Sequence, residues 1–310
     1  MPDGCAPVAI LGPTASGKSA LAMALARERG DVELVSVDSM QVYRGMDVGT
    51  AKPTVAEQDE VPHHLLDLVD PWDEFDVATF QAAARTAIAD VHARGRLPVL
   101  VGGTGLYLRA IVDDLRVPGR YPAVVAELKA EPDTEALHRR LADLDPLAAT
   151  RMEPTNRRRI VRALEVTIGS GEPFSAAGEG FAAHPPTPIR MVGIWQPRPV
   201  LAERIAARYR QQLADGFLDE VATLAAGPPL SRTAAQALGY RELLAHLLGE
   251  LALDQALNLA VTRTRQFARR QRVWFRKDPR ITWLGTDRDP MVALPALVAL
   301  ADSPRPTDPS

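Results

Sequence analysis

The chain has 310 residues, 46% apolar and 24% charged, with a formal net charge of −3; that suits one large domain with an insertion, or two domains, each with a substantial core. The negative balance excludes nucleic-acid binding spread over the whole surface, so any such contact must come from local basic patches. Cys5 is the one cysteine, too few for a disulfide or a cysteine-rich metal site, and neither a signal peptide nor a membrane-spanning apolar run is expected, which leaves a soluble, cytoplasmic protein.

Pro7–Gly12 (PVAILG) is a short apolar run ending in glycine, and Ser19–Arg29 is a helix-forming run. The predicted order is strand, loop, helix. Val32–Asp38 is the next strand candidate. Over Asp76–Arg94 the apolar residues Val77, Phe80, Ala84, Ile88 and Val91 step by three and four, which marks the buried face of a helix. Leu97–Gly103 is a third strand, nearly all apolar, as befits a strand covered on both faces. Strands alternating with helices predict an α/β protein with a parallel sheet.

From Asp113 to Pro188 the alternation stops, and the segment is charged and helical in character with Pro and Gly breaks. Ile189–Trp195 restores the strand signal, and a long helix is expected at Pro199–Ala214. Helical pattern continues to about Lys277, and Ile281–Leu284 reads as a last short strand. The predicted architecture is a P-loop-type α/β core, residues 1–112 and 189–301, interrupted by a mainly helical domain at 113–188. The Pro-rich, polar tail Asp302–Ser310 is expected to be disordered.

Gly12, Pro13, Thr14, Ala15, Ser16, Gly17, Lys18 and Ser19 match G-x-x-x-x-G-K-[ST] in full. Glycines let successive backbone N–H groups converge on phosphate oxygens, and the following helix points its positive end at the same place. Lys18 supplies a mobile positive charge, and Ser19 can ligate Mg²⁺. The loop alone does not name a reaction, since kinases, nucleotide hydrolases and some transferases share it.

Asp38 falls at the carboxyl end of its strand, where open parallel sheets bind ligands. A turn or helix-cap aspartate is the bland alternative. Gly102-Gly103-Thr104 falls at the end of the next strand. Its glycines permit close backbone approach, and Thr104 is either a ligand contact or a helix cap.

At this point the chain resembles the tRNA dimethylallyltransferases. The matching stretches are GPTASGKS, SVDSMQVYRGMDVGTAKP, VPHHLLD at Val61–Asp67, GGTGLY, and PTNRRRIVRALE at Pro154–Glu165. IAARYRQQLADGFLDEV at Ile205–Val221, ALGYRE at Ala237–Glu242 and TRTRQFARRQRVWFR at Thr262–Arg276 follow in the family's order. The resemblance runs from residue 7 to about residue 285, and its specific part is the Asp-Ser-x-Gln stretch joined to GTAKP.

The resemblance implies transfer of a dimethylallyl group from dimethylallyl diphosphate to N6 of adenosine 37, beside the anticodon, in tRNAs reading codons that begin with U. The partners are then Mg-diphosphate and a tRNA anticodon stem-loop, with the enzyme a monomer. The phosphate loop would stabilise charge on the leaving oxygen, and Arg208, by resemblance, also reaches the diphosphate. The N6 lone pair is delocalised into the purine, so a base that takes its proton helps. Asp38 suits that task, and Thr104 would hold the reacting groups in line. The target base must leave its stack to reach a pocket. Asp38, Ser39, Met40 and Gln41 form the stretch expected to meet it.

Two basic runs are the expected tRNA footprint. Arg151–Arg162 carries Arg151, Arg157, Arg158, Arg159 and Arg162 against Glu153, and Arg263–Arg280 carries seven arginines and Lys277 against Asp278. If the second run is helical, Arg265, Arg269, Arg272 and Arg276 fall on one stripe, with Phe267, Trp274 and Phe275 interleaved to pack inward or stack on bases. A charge run in an arbitrary protein is more often a solvated face. Here both runs lie in stretches that in the resembled family contact tRNA. Val125 stands where that family often has a tRNA-holding arginine. His63 and His64 lack partners at metal-ligand spacing and are expected to be structural or pocket-lining. The rival readings are a small-molecule kinase, an adenylate dimethylallyltransferase and a non-enzymatic RNA-binding protein.

Overall fold

The computed structural model describes residues 6–177 and 183–303. Six strands form one parallel sheet: β1 (Val8–Leu11), β2 (Val32–Val37), β3 (His63–His64), β4 (Leu97–Gly102), β5 (Arg190–Trp195) and β6 (Ile281–Gly285). Their order is β3-β2-β4-β1-β5-β6. β1 is central, with Ile10 opposite Val101 of β4 and Val192 of β5.

Two apolar layers follow from the two-residue period of the strands. Val8, Ile10, Val32, Leu34, Val99, Val192 and Ile194 point to the side covered by α1 (Lys18–Arg29), and a C-terminal helix (Leu294–Asp302) packs there through Leu297 and Ala301. Ala9, Leu11, Val35, Val37, Leu100 and Met191 point the other way. That layer is covered by α3 (Val77–Ala93) and α4 (Gly105–Val112), which come after the short α2 (Val55–Glu60). Further helices complete it, as described below. Asp76 starts α3 by accepting a hydrogen bond from Thr79 N, so the predicted helix begins one residue after its cap.

Backbone packing divides the chain into two compact units, Met1–Val112 with Pro186–Ser310, and Asp113–Pro185. The second unit contains α5 (Pro122–Ala130), α6 (Thr134–Leu144), α7 (Pro146–Thr150), α8 (Arg157–Ser170) and a short 3-10 turn at Phe174–Ala177. Its own core is Leu128, Leu137, Leu141, Ala148, Ile160 and Leu164.

After β5 the first unit continues with α9 (Arg198–Ala214), α10 (Phe217–Ala225), α11 (Tyr240–Leu247) and α12 (Leu253–Phe275). Residues Ile205, Tyr209, Phe217, Leu243, Ala260, Ala268 and Phe275 bring these helices into the second apolar layer. The helix Leu294–Asp302 is α13. Asp302 therefore ends a helix rather than beginning a tail, and residues 304–310 of the expected disordered tail lie outside the described residues, as does Cys5. Among the described residues no helix is long and apolar enough to cross a membrane.

Candidate active site at the carboxyl ends of the strands

β1 ends at Leu11, and Gly12–Gly17 turns the chain into α1. Ser16 N donates to Pro13 O at 3.2 Å and closes the turn. Gly17 has φ of 87°, and a Cβ there would overlap Pro290, so both conformation and space require glycine. Ala15 holds φ of 63°, a costly conformation for a residue with a Cβ. Ser16 is fully buried, and among the described residues its hydroxyl has no hydrogen-bond partner. Buried hydroxyls are normally paired, and an anion seated in the loop is a ligand that would pair this one. Ser19 is exposed in the first turn of α1.

Charges gather around this loop. Lys18 Nζ lies 3.4 Å from Pro13 O. Burial pulls the Lys18 ammonium down to a pKa of about 8, against the opposing pull of Asp38, with Arg208 lowering it further. Arg208, on α9, donates to Thr14 Oγ1 at 3.2 Å. Burial lowers the pKa of its guanidinium too, while Tyr209 and Asp38 favour its charge. Lys18, Asp38 and Arg208 thus interact as one electrostatic cluster, although they come from α1, the end of β2 and α9.

Asp38 Oδ1 accepts from Met40 N at 2.9 Å, so one carboxylate oxygen closes a turn. Thr104 Oγ1 accepts from Ser39 N at 3.3 Å, and Thr104 N donates to Val37 O at 3.4 Å. The ends of β2 and β4 are therefore tied together, with Asp38 and Thr104 side by side. Gly102 and Gly103 make this approach possible: a Cβ on Gly102 would overlap Val37 O, and one on Gly103 would overlap the Gln271 amide.

The segment after Asp38 is fastened from several sides. Ser36 Oγ donates to Gln41 Oε1 at 2.7 Å, and Gln41 Nε2 donates to Thr50 O at 3.4 Å and Ala51 O at 3.1 Å. Both ends of the Gln41 amide are thus engaged within the protein. Lys52, nearly sealed from solvent, bonds Tyr43 O at 2.8 Å and pairs with Asp67 at 2.6 Å and with Asp47. From α10, Glu220 accepts from Asp47 N, Val48 N and Gly49 N at 2.8, 2.7 and 3.1 Å, and from the Tyr240 hydroxyl at 2.6 Å. Gln212 of α9 donates to Val48 O and Gly49 O.

Gln271 of α12 is buried and bridges two loops. Its Oε1 accepts from Thr14 N at 2.9 Å, and its Nε2 donates to Gly103 O at 2.8 Å. The sequence signal for it was a polar residue on the apolar face of α12, in step with the buried Thr264, Ala268 and Phe275.

The IPP transferase family profile matches residues 41–278. The chain belongs to the IPP transferase family. A tRNA dimethylallyltransferase of Nocardioides sp. is 50% identical over 284 residues, which cover 90% of this chain and 91% of that protein. One from Kineococcus radiotolerans is 51% identical over 286 residues, covering 89% and 90%. Among solved structures, the tRNA isopentenylpyrophosphate transferase of Bacillus halodurans aligns with a TM-score of 0.69 at 38% identity, covering 94% of each chain. A eukaryotic dimethylallyltransferase, captured acting on tRNA, aligns with a TM-score of 0.78 at 25% identity, covering 97% of this chain and 81% of that one.

In this IPP transferase the two basic runs are less uniform than their sequences suggest. On α8, Arg158 and Arg159 are exposed. Arg162 is not part of an open patch: it donates to Gly119 O at 3.0 Å and Pro118 O at 2.7 Å and pairs with Glu165. On α12, Arg265, Arg269 and Arg276 are exposed, but Arg272 is buried. Its guanidinium lies 3.7 Å from the centre of the Trp195 ring, and it donates to Gln196 O at 3.1 Å. The stripe of four is thus a surface of three with one arginine turned inward, because the stripe's face packs on β5 and α9, where Arg265 also meets Ala202 O. Phe275 is in the core, while Trp274 is partly exposed and packs against Gly105. His64 bonds the buried Glu33 at 2.6 Å and His63 bonds Val61 O at 2.7 Å, which gives both rings a structural role in the edge strand β3.

Proposed function

We infer that this chain is a tRNA dimethylallyltransferase, and that it moves the dimethylallyl group of dimethylallyl diphosphate to N6 of adenosine 37, next to the anticodon, in tRNAs reading codons that begin with U. The observation that carries the reading is the meeting of the phosphate-type loop, Lys18 and Arg208 with Asp38 and Thr104 at one end of one sheet. Curated relatives with the same name, at about half identity over most of the chain, support it.

In the reaction, a bond forms from N6 to the allylic carbon as the bond from that carbon to the diphosphate oxygen breaks. The N6 proton passes to a base, and diphosphate leaves. The loop N–H groups other than those of Thr14 and Ser16, which bond Gln271 and Pro13, would join Lys18 and Arg208 at the oxygen on which charge grows, where preorganised donors lower the barrier. Asp38 takes the proton. Thr104, bonded to the backbone beside Asp38, keeps the acceptor and the cradle in register. Gln41 contributes by shaping the segment that meets the base rather than by bonding the base through its amide. Arg158, Arg159, Arg265, Arg269 and Arg276 supply exposed positive charge for the RNA backbone.

Mg²⁺ fits this site only as a partner of the diphosphate. Among the described residues no group of three or more His, Cys, Asp or Glu could hold a metal alone. Mg²⁺ commonly keeps few protein ligands and takes its other oxygens from phosphate and water. The exposed Ser19 hydroxyl would be the protein ligand, and the ion would neutralise charge on the leaving group.

The test is incubation with radiolabelled dimethylallyl diphosphate, Mg²⁺ and unmodified tRNA bearing adenosine 3′ of the anticodon, with AMP and ATP offered in parallel. Label in tRNA alone is the expected outcome. Label in a free nucleotide would move the chain to the adenylate branch.

A further inference from the structure

A single buried amide joins the two halves of the site. Gln271 reaches from the inner face of α12 to the phosphate-type loop on one side and to the end of β4 on the other. Thr14, whose N–H it accepts, is also the residue whose hydroxyl takes the Arg208 hydrogen bond. Gly103, whose carbonyl it bonds, immediately precedes Thr104. The fit is close, since a Cβ at Gly103 would overlap the Gln271 amide. The neighbouring turn of α12 holds the same region: Arg272 bonds Gln196 O at the end of β5, and Trp274 packs against Gly105. The end of one helix is therefore pinned to the carboxyl ends of β1, β4 and β5.

We propose that Gln271 is a positioning residue for prenyl transfer, fixing the distance between the diphosphate cradle and the Asp38–Thr104 side of the site. The proposal rests on the dimethylallyl-transfer reading. Its chemistry is specific to an amide, because the position needs one acceptor for Thr14 N–H and one donor for Gly103 O. A carboxylate of the same shape keeps the acceptor, loses the donor, and sets a negative charge beside an anionic leaving group. A neutral carboxylic acid restores the donor. A displacement of about 1 Å between reacting groups costs on the order of 100-fold in rate, so such a bridge bears on turnover without touching substrate.

The experiment compares the wild-type chain with Gln271→Glu and Gln271→Ala. Label transfer to tRNA at saturating substrates, tRNA affinity, Mg-pyrophosphate affinity and thermal melting are measured for each from pH 5.5 to 8.5. At pH 8 the Glu variant is expected to lose roughly 10- to 100-fold in kcat with tRNA affinity unchanged. Relative to wild type at the same pH, that loss shrinks as the pH falls and the carboxyl takes a proton. The Ala variant stays impaired at every pH. A Glu variant as active as wild type at pH 8, or one whose deficit follows loss of folded protein with no pH dependence of the ratio, overturns the proposal. If the wild-type chain transfers no label, the transfer reading fails separately, and pyrophosphate decides the bridge: weaker binding by Gln271→Glu that recovers at low pH supports it, and equal binding refutes it.

Discussion

Asp38 and Lys18 face the same space but answer to different tests. If Asp38 removes the N6 proton, Asp38→Ala lowers turnover by about 100-fold or more, the usual worth of a general base, while tRNA affinity is kept. Single-turnover transfer with tRNA in excess, alongside a filter-binding titration, separates the two, and near-normal turnover would remove Asp38 from the chemistry. Lys18 gives a pH signature. Its pKa is lowered to about 8, chiefly by burial, so below pH 8 the free protein holds a charged ammonium in the loop and above it a neutral amine. An anion favours the charged form, so Mg-pyrophosphate affinity, measured by calorimetry, is expected to fall as pH rises from 7.5 to 9.5. Lys18→Arg, which stays charged, should flatten this dependence of affinity on pH.

One arginine-rich face of α12 and its cap divides into exposed guanidiniums and one that is buried. Its step of three and four was legible in the sequence, and so were the predicted helices at Asp76–Arg94 and Pro199–Ala214, seen as Val77–Ala93 and Arg198–Ala214. Which arginines are solvated was not legible, because a guanidinium can cover an aromatic face as readily as a phosphate. Arg272 and Arg276 lie one turn apart, yet the first is buried at 3.7 Å from the centre of the Trp195 ring and the second, 5.7 Å from the same ring, stays exposed. Their variants should differ accordingly. Replacing Arg269 and Arg276 together with alanine should weaken tRNA binding and reduce the slope of log affinity against log salt by about 1.5, near 0.7–0.9 per lost phosphate contact, with the melting temperature unchanged. Arg272→Ala should instead lower stability by about 2 kcal/mol, as loss of a buried hydrogen-bonded cation does. A salt slope unmoved by the double variant would take α12 out of the RNA footprint.

The whole molecule shows what pattern alone carries. Alternation of apolar strands and amphipathic helices was enough to predict the parallel sheet, since each strand buried on both faces reads as an unbroken apolar run, as in Val8–Leu11 and Leu97–Gly102. The strand order was not legible, nor was β3, whose two residues leave no periodicity to read. Three short helices were also missed. α2 has only six residues, α4 opens on glycine, and α13 carries a proline in its first turn. Around the site, Asp38, Lys18 and Thr104 could be found because strand ends and a local motif announce them. The residues that lock the site, Gln271, Glu220 and Gln212, act over separations of more than 160 residues, and nothing local in their stretches points to the loops they bond.

The central claim is that a diphosphate cradle and a proton acceptor on this chain serve transfer of a prenyl group to tRNA. The most direct measurement is mass analysis of the anticodon loop after incubation of the purified chain with dimethylallyl diphosphate, Mg²⁺ and unmodified tRNA, with Asp38→Ala as control. Wild type is expected to add one dimethylallyl group to adenosine 37, and the variant almost none. An unmodified loop from folded wild-type protein, or equal modification by both proteins, would contradict it.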